Sequence, residues 1–145
     1  MIKARELRFV FALDDYETAV HLYRDVFGLE VLMDLDGQGG RGVILQVPTA
    51  TLELVDVAHE RMVDEIEVGR RLDGRVRLAV QVDELAEAAR AVVDAGAEAL
   101  ADPVRTSWGD RNQRFLTGDG MQLTLFQPPD AAEPMSSAIP RSLPY

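Results

Sequence analysis

The chain contains no cysteine, which excludes disulfides, thiolate metal sites and a cysteine nucleophile. No apolar run approaches the ~18 residues of a membrane span, and the opening Met1-Ile2-Lys3-Ala4-Arg5-Glu6 lacks the apolar centre of a signal peptide. No membrane partner is expected, and a cytoplasmic location is. Basic residues are scarce: 15 Lys and Arg stand against 25 Asp and Glu, a net charge of −10. A surface of that sign repels phosphate backbones, so nucleic acid is not an expected partner either. His21 and His59 are the only histidines. One falls on the first expected helix and the other in a connector, and both read as ordinary, partly exposed side chains. The glycine-rich run Gly37-Gln38-Gly39-Gly40-Arg41-Gly42 lacks the Lys-Ser/Thr ending of a phosphate loop. It is read as a flexible turn.

What the chain does have is an internal repeat. Arg8-Phe9-Val10-Phe11-Ala12-Leu13-Asp14-Asp15 is echoed by Arg77-Leu78-Ala79-Val80-Gln81-Val82-Asp83-Glu84, an offset of 69 positions from Arg8 to Arg77. Gly28-Leu29-Glu30 returns as Gly96-Ala97-Glu98 at an offset of 68, and Leu52-Glu53-Leu54 as Leu123-Thr124-Leu125 at an offset of 71. Small drifts around one offset are what a duplicated unit with loop insertions leaves behind.

Each unit reads strand, helix, three strands. Residues 5–13 alternate Leu7, Phe9, Phe11 and Leu13 against Glu6, Arg8, Val10 and Ala12, a one-sided strand. Asp14 three residues before Glu17 suggests a capping box, Tyr16 to Phe27 follow helical spacing, and Gly28 suits the position after a helix. Strands are expected over 29–35, 43–47 and 51–57. In the second unit a strand over 75–82 precedes a helix lined by Leu85, Ala88, Ala89, Val92 and Val93. An edge strand over 97–105 is broken by Pro103, and strands over 111–117 and 121–127 flank the hairpin signal Asp119-Gly120. The expected organisation is a first βαβββ module at 1–57, a charge-rich connector at 58–74 with one or two helical turns, a second module at 75–127, and a Pro-rich tail at 128–145. The fold class is α+β, with curled mixed sheets around a funnel-shaped cavity.

Several stretches carry a resemblance. They are Asp15-Tyr16-Glu17-Thr18-Ala19, Tyr23-Arg24-Asp25-Val26-Phe27-Gly28-Leu29-Glu30-Val31, Ser107-Trp108-Gly109-Asp110-Arg111 and Gly118-Asp119-Gly120-Met121-Gln122-Leu123-Thr124-Leu125. Together with the repeat they resemble the vicinal oxygen chelate superfamily, which includes glyoxalase I, extradiol dioxygenases, methylmalonyl-CoA epimerase and bleomycin-resistance proteins. The resemblance covers roughly residues 5–127 and implies a scaffold more firmly than a reaction. Metal enzymes of the superfamily place one ligand in each of four strands, and the motif lays those positions on Arg8, Glu53, Arg77 and Thr124. Only Glu53 is a metal-ligand type. Guanidinium offers no lone pair and stays charged, so no metal and no other cofactor is expected.

Three readings of these positions stay open. Glu53 neutralises a buried arginine; or one arginine, beside Gln122 and Thr124, receives an anionic or carbonyl-bearing ligand group; or the arginines are exposed at a sheet edge. Phe126, Phe115 and Trp108 are candidate apolar walls, with core packing the competing role for the phenylalanines. The resemblance places the Trp108 turn at the rim of a ligand cavity or at a subunit interface. The candidate ligand-binding set is therefore Arg8, Glu53, Arg77, Trp108, Phe115, Gln122, Thr124 and Phe126. The expected function is a metal-independent binder of a small, partly aromatic molecule, of the bleomycin-resistance type and homodimeric. The alternative is a glyoxalase-, epimerase- or dioxygenase-like enzyme using Glu53 with Arg8 or Arg77. A regulator or subunit without a small ligand is a third reading.

Overall fold

The computed structural model describes residues 6, 8–11, 13–36, 40–51, 53, 55–74 and 76–130. Helix α1 spans Tyr16–Val20 and runs on as a π-helical stretch, His21–Val26. Its cap is Asp15, whose Oδ1 accepts from the Thr18 N–H at 3.1 Å. The expected Asp14–Glu17 box would begin the helix one residue early, and Glu17 instead pairs with Arg41. Gly28 follows at φ 70°, a left-handed conformation that glycine adopts without a Cβ clash.

Strands β1 (Val31–Asp34) and β2 (Val43–Leu45) form an antiparallel pair, Val31 opposite Leu45 and Asp34 opposite Val43. The strand expected over 5–13 forms no ladder at residues 6, 8–11 or 13, and the one expected over 51–57 forms none at 51, 53, 55 or 56. The remaining positions of both stretches lie outside the described residues, apart from Val57, which opens a helix. Alternation determines which side of an extended chain is apolar, but a ladder also needs a neighbour at hydrogen-bonding distance.

The connector holds more structure than its composition suggests. Helix α2 spans Val57–Val68, 12 residues. Asp56 caps it, accepting from the His59 N–H at 2.8 Å. Gly69, at φ 73°, closes it by donating to the Asp64 and Glu65 carbonyls.

The second unit follows its expected order: β3 (Arg77–Gln81), α3 (Leu85–Asp94), β4 (Glu98–Ala99), β5 (Val104–Arg105), β6 (Arg111–Leu116) and β7 (Gln122–Gln127). Pro103 does separate β4 from β5. The sheet order is β3-β7-β6-β4 with β5 also on β6; β3 runs parallel to β7 and the other pairs are antiparallel.

The two faces of this sheet differ in chemistry. Phe115, Leu123 and Leu125 are fully buried on one face with Leu85 and Val92 of α3, and Leu22 of the first helix joins them. Asn112, Arg114, Gln122 and Thr124 occupy the other face, also buried. Helix α2 packs over that polar face, with Val63 against Trp108, and Ile66 and Phe126 beside them.

Candidate functional site

The polar face is built around Arg114, whose side chain has no solvent exposure. Its Nε donates to Glu67 Oε2 at 2.6 Å and its Nη1 to Asp64 Oδ1 at 2.9 Å and Gln122 Oε1 at 2.7 Å. Thr124 Oγ1 donates to Glu67 Oε2 at 2.9 Å, and the Asn112 amide donates to Glu67 Oε1 at 2.8 Å. Gln122 donates in turn to the Asp73 carbonyl at 2.7 Å, and Asp64 Oδ2 accepts from the Leu72 N–H at 3.0 Å. Burying these charges is tolerable only because each is paired and hydrogen-bonded; removing one partner of such a cluster costs about 3–5 kcal/mol.

Arg77 joins this network from the sheet edge. Its Nε and Nη2 donate to the two carboxylate oxygens of Glu60 at 3.1 and 3.2 Å, and its Nη1 donates to Thr124 Oγ1 at 3.1 Å. That is the bidentate geometry guanidinium favours. The pairing foreseen for Glu53 therefore goes to Glu60. α2 lays Glu60, Asp64 and Glu67 along one side, one turn apart, facing the arginines. Glu53 has no ion pair among the described residues, yet it senses this charge. Burial pushes its carboxyl up from the ordinary value of 4.5, Arg77 pulls it back, and Glu60 adds to the rise.

Between the first unit and the β3 edge lies an open cleft of about 2380 Å³. Arg8, Glu53, Arg77, Gln122 and Phe126 all border it. Arg8 is bound to Glu6 at 2.6 Å and half exposed, so its charge is already matched at the mouth. Thr124 is fully buried beneath Arg77.

Two candidates fall elsewhere. Phe115 lies in the core under α3, because it shares a sheet face with Leu123, its partner across the ladder, and not with Gln122 and Thr124. Trp108 is only 2% exposed and supports α2 through Val63, and it is not part of the cleft lining. Sequence reasoning missed Arg114, Glu60, Asp64 and Glu67. A signal for them was present: Asp56 and Gly69 bracket a helix on which the three carboxylates are spaced four and three residues apart.

The four positions where the superfamily's metal enzymes carry ligands do not fit a metal here. Arg77 brings a fixed positive charge held in place by Glu60, and the Thr124 hydroxyl is committed to Arg77, Arg114 and Glu67. Glu53 alone is an anionic donor.

The sequence matches the model of the Glyoxalase/Bleomycin resistance protein/Dioxygenase superfamily over residues 7–125, and the chain belongs to that family. A comparison with curated proteins finds no match. Among solved structures, the chain is similar to TnmS3, an antibiotic binding protein from Streptomyces sp. CB03234, at 25% identity and TM-score 0.55, covering 89% of this chain and 99% of that one. A hypothetical protein from S. aureus is similar at 18% identity and TM-score 0.57, covering 86% and 95%. A glyoxalase/bleomycin resistance protein/dioxygenase family enzyme from Burkholderia phytofirmans PsJN is similar at 15% identity and TM-score 0.54, covering 78% and 90%. The last two share the fold.

Proposed function

We propose that the protein binds a small, partly aromatic molecule in the cleft without a metal, as a sequestering member of its superfamily. The observation that carries this reading is Arg77. A guanidinium locked by Glu60 and Thr124 stands on the cleft wall where a catalytic member would present a metal ligand. Apolar side chains such as Phe9, Val55 and Phe126 line the remaining walls, the combination of apolar surface and few polar anchors that ligand pockets use. The similarity to an antibiotic binding protein supports the same reading.

The cleft of about 2380 Å³ exceeds the roughly 300–1,000 Å³ of a single-ligand pocket. A second copy of the chain would narrow it. Phe9 (56% exposed), Val10 (88%) and Leu32 (58%) offer the apolar surface for such a homodimer. Sedimentation equilibrium tests this: a dimer at micromolar concentration supports it, and a monomer at millimolar concentration contradicts it.

A second reading rests on Glu53. A carboxyl pushed up by burial next to a guanidinium is a candidate general base with an oxyanion clamp, which would make the protein a metal-independent lyase or isomerase. Titration calorimetry with a panel of fused-ring aromatics, on wild type and Arg77→Met, tests the binding reading. Saturable binding weakened in Arg77→Met, with the ligand recovered unchanged, supports sequestration. Ligand turnover that Glu53→Gln abolishes would replace it with the enzyme.

A further inference from the structure

A second cavity, of about 270 Å³, opens where the first helix meets the turn after α3 and the β6–β7 hairpin. Its apolar lining includes Phe11, Leu22 and Met121; its polar lining includes Thr18, Tyr23 and Asp119. No cationic side chain borders it among the described residues. The geometry points to a second ligand site, one that takes a small organic ammonium, a primary amine on a single apolar or aromatic ring.

Four observations lead there. Asp119 is held in place through Oδ1, which accepts from the Asp15 N–H at 3.1 Å, and Oδ2 is not used by that bond. Tyr23 is the middle ring of an aromatic row, with centroids 6.1 Å from Phe11 and 6.0 Å from Phe27, and aromatic faces attract cations. Burial first, and the Asp119 charge second, push the Tyr23 hydroxyl up to about 12. It stays a neutral phenol, able to accept a hydrogen bond from an ammonium and to donate one to a ligand oxygen. The volume lies just under the roughly 300–1,000 Å³ of drug-sized pockets, which limits the ligand to about one ring and a short arm. An anion would meet the Asp119 carboxylate with no counter-charge in the lining, on a chain whose net charge is −10. Val10, Phe11, Leu13, Ala19 and Tyr23 border the large cleft as well, so the two spaces share a wall, and Asp119 is the charged group that belongs to the small cavity and not to the cleft.

Titration calorimetry with benzylamine, benzyl alcohol and phenylacetate tests the site. Benzylamine should bind saturably, benzyl alcohol more weakly, and phenylacetate not at all. Asp119→Asn retains an acceptor for the Asp15 N–H and should weaken benzylamine about tenfold or more, as expected for losing one charge-assisted contact. Tyr23→Phe should weaken it a few-fold, and Arg77→Met should leave it unchanged. The comparison of the three compounds on wild type needs no variant to fold. The site is overturned if benzylamine fails to bind at millimolar concentration, if benzyl alcohol binds as tightly as benzylamine or phenylacetate binds at all, if Asp119→Asn has no effect, or if Arg77→Met abolishes binding and so places the amine in the cleft.

Discussion

The two halves of the molecule share a sequence plan and differ in what covers them. In the second unit, β3, β6 and β7 are laddered, α3 closes one face and α2 the other, and Phe115, Leu123 and Leu125 are fully buried. In the first unit only β1 and β2 pair among the described residues, and Phe9, Val10, Leu32, Met33 and Leu35 are each more than half exposed. The same alternation thus gives a core on one side and an open wall on the other. A strand's apolar face becomes a core only when another element lies on it. The difference also locates the cleft, which runs between the covered half and the uncovered one.

Substitutions can break this contrast, beginning with the largest effect. Arg114→Met strands Asp64 and Glu67 without their counter-charge and should cost about 3–5 kcal/mol in urea unfolding. The double change Arg114→Met with Glu67→Met should recover part of that loss. Phe115→Ala empties a filled position and should cost about 3–5 kcal/mol, whereas Phe9→Ala should stay within about 0.5 kcal/mol at protein concentrations below dimer formation. Equal costs for these two phenylalanines would erase the difference between the halves. Asp56→Ala removes the cap of α2 and should cost about 1 kcal/mol, read in the same unfolding series.

The smallest effect is the most specific. The Glu53 carboxyl is raised, chiefly by burial and also by Glu60, so the folded state holds its proton more tightly than the unfolded chain does. The stability this contributes is fully present below the ordinary value of 4.5 and is lost as pH rises through the higher folded value. Glu53→Gln should therefore raise the melting point slightly at pH 7 and remove that part of the pH dependence. A lowered melting point at pH 7 would instead mean that Glu53 acts as a counter-ion of Arg77.

Much of the fold was legible because it rests on local signals. The element order of the second unit was legible, Gly28 and Gly120 marked a helix end and a hairpin, where the structure gives both a positive φ, and Pro103 split the edge strand. α2 was obscured because its charges are the buried part: Glu67 and Asp64 read as solvated residues until Arg114 is placed across from them. Composition cannot distinguish a charge facing water from one facing a guanidinium. Arg77, Gln122 and Thr124 were legible as a group, since alternation puts them on one face, and the structure does bring Arg77 onto Thr124. Phe115 and Trp108 lie away from the cleft for different reasons. The face of Phe115 follows from strict alternation once β6 is registered on β7, and the burial of Trp108 depends on α2, which the turn sequence alone does not announce.

The proposal that the cleft works without a metal is tested most directly by thermal melting of chelator-treated protein across titrations of nickel, zinc, manganese and ferrous ions. The expected midpoint is unchanged in all four, because Arg77 and Thr124 offer no coordinating pair beside Glu53. A rise of several degrees that saturates with any one ion would contradict this and place a metal centre where the guanidinium stands.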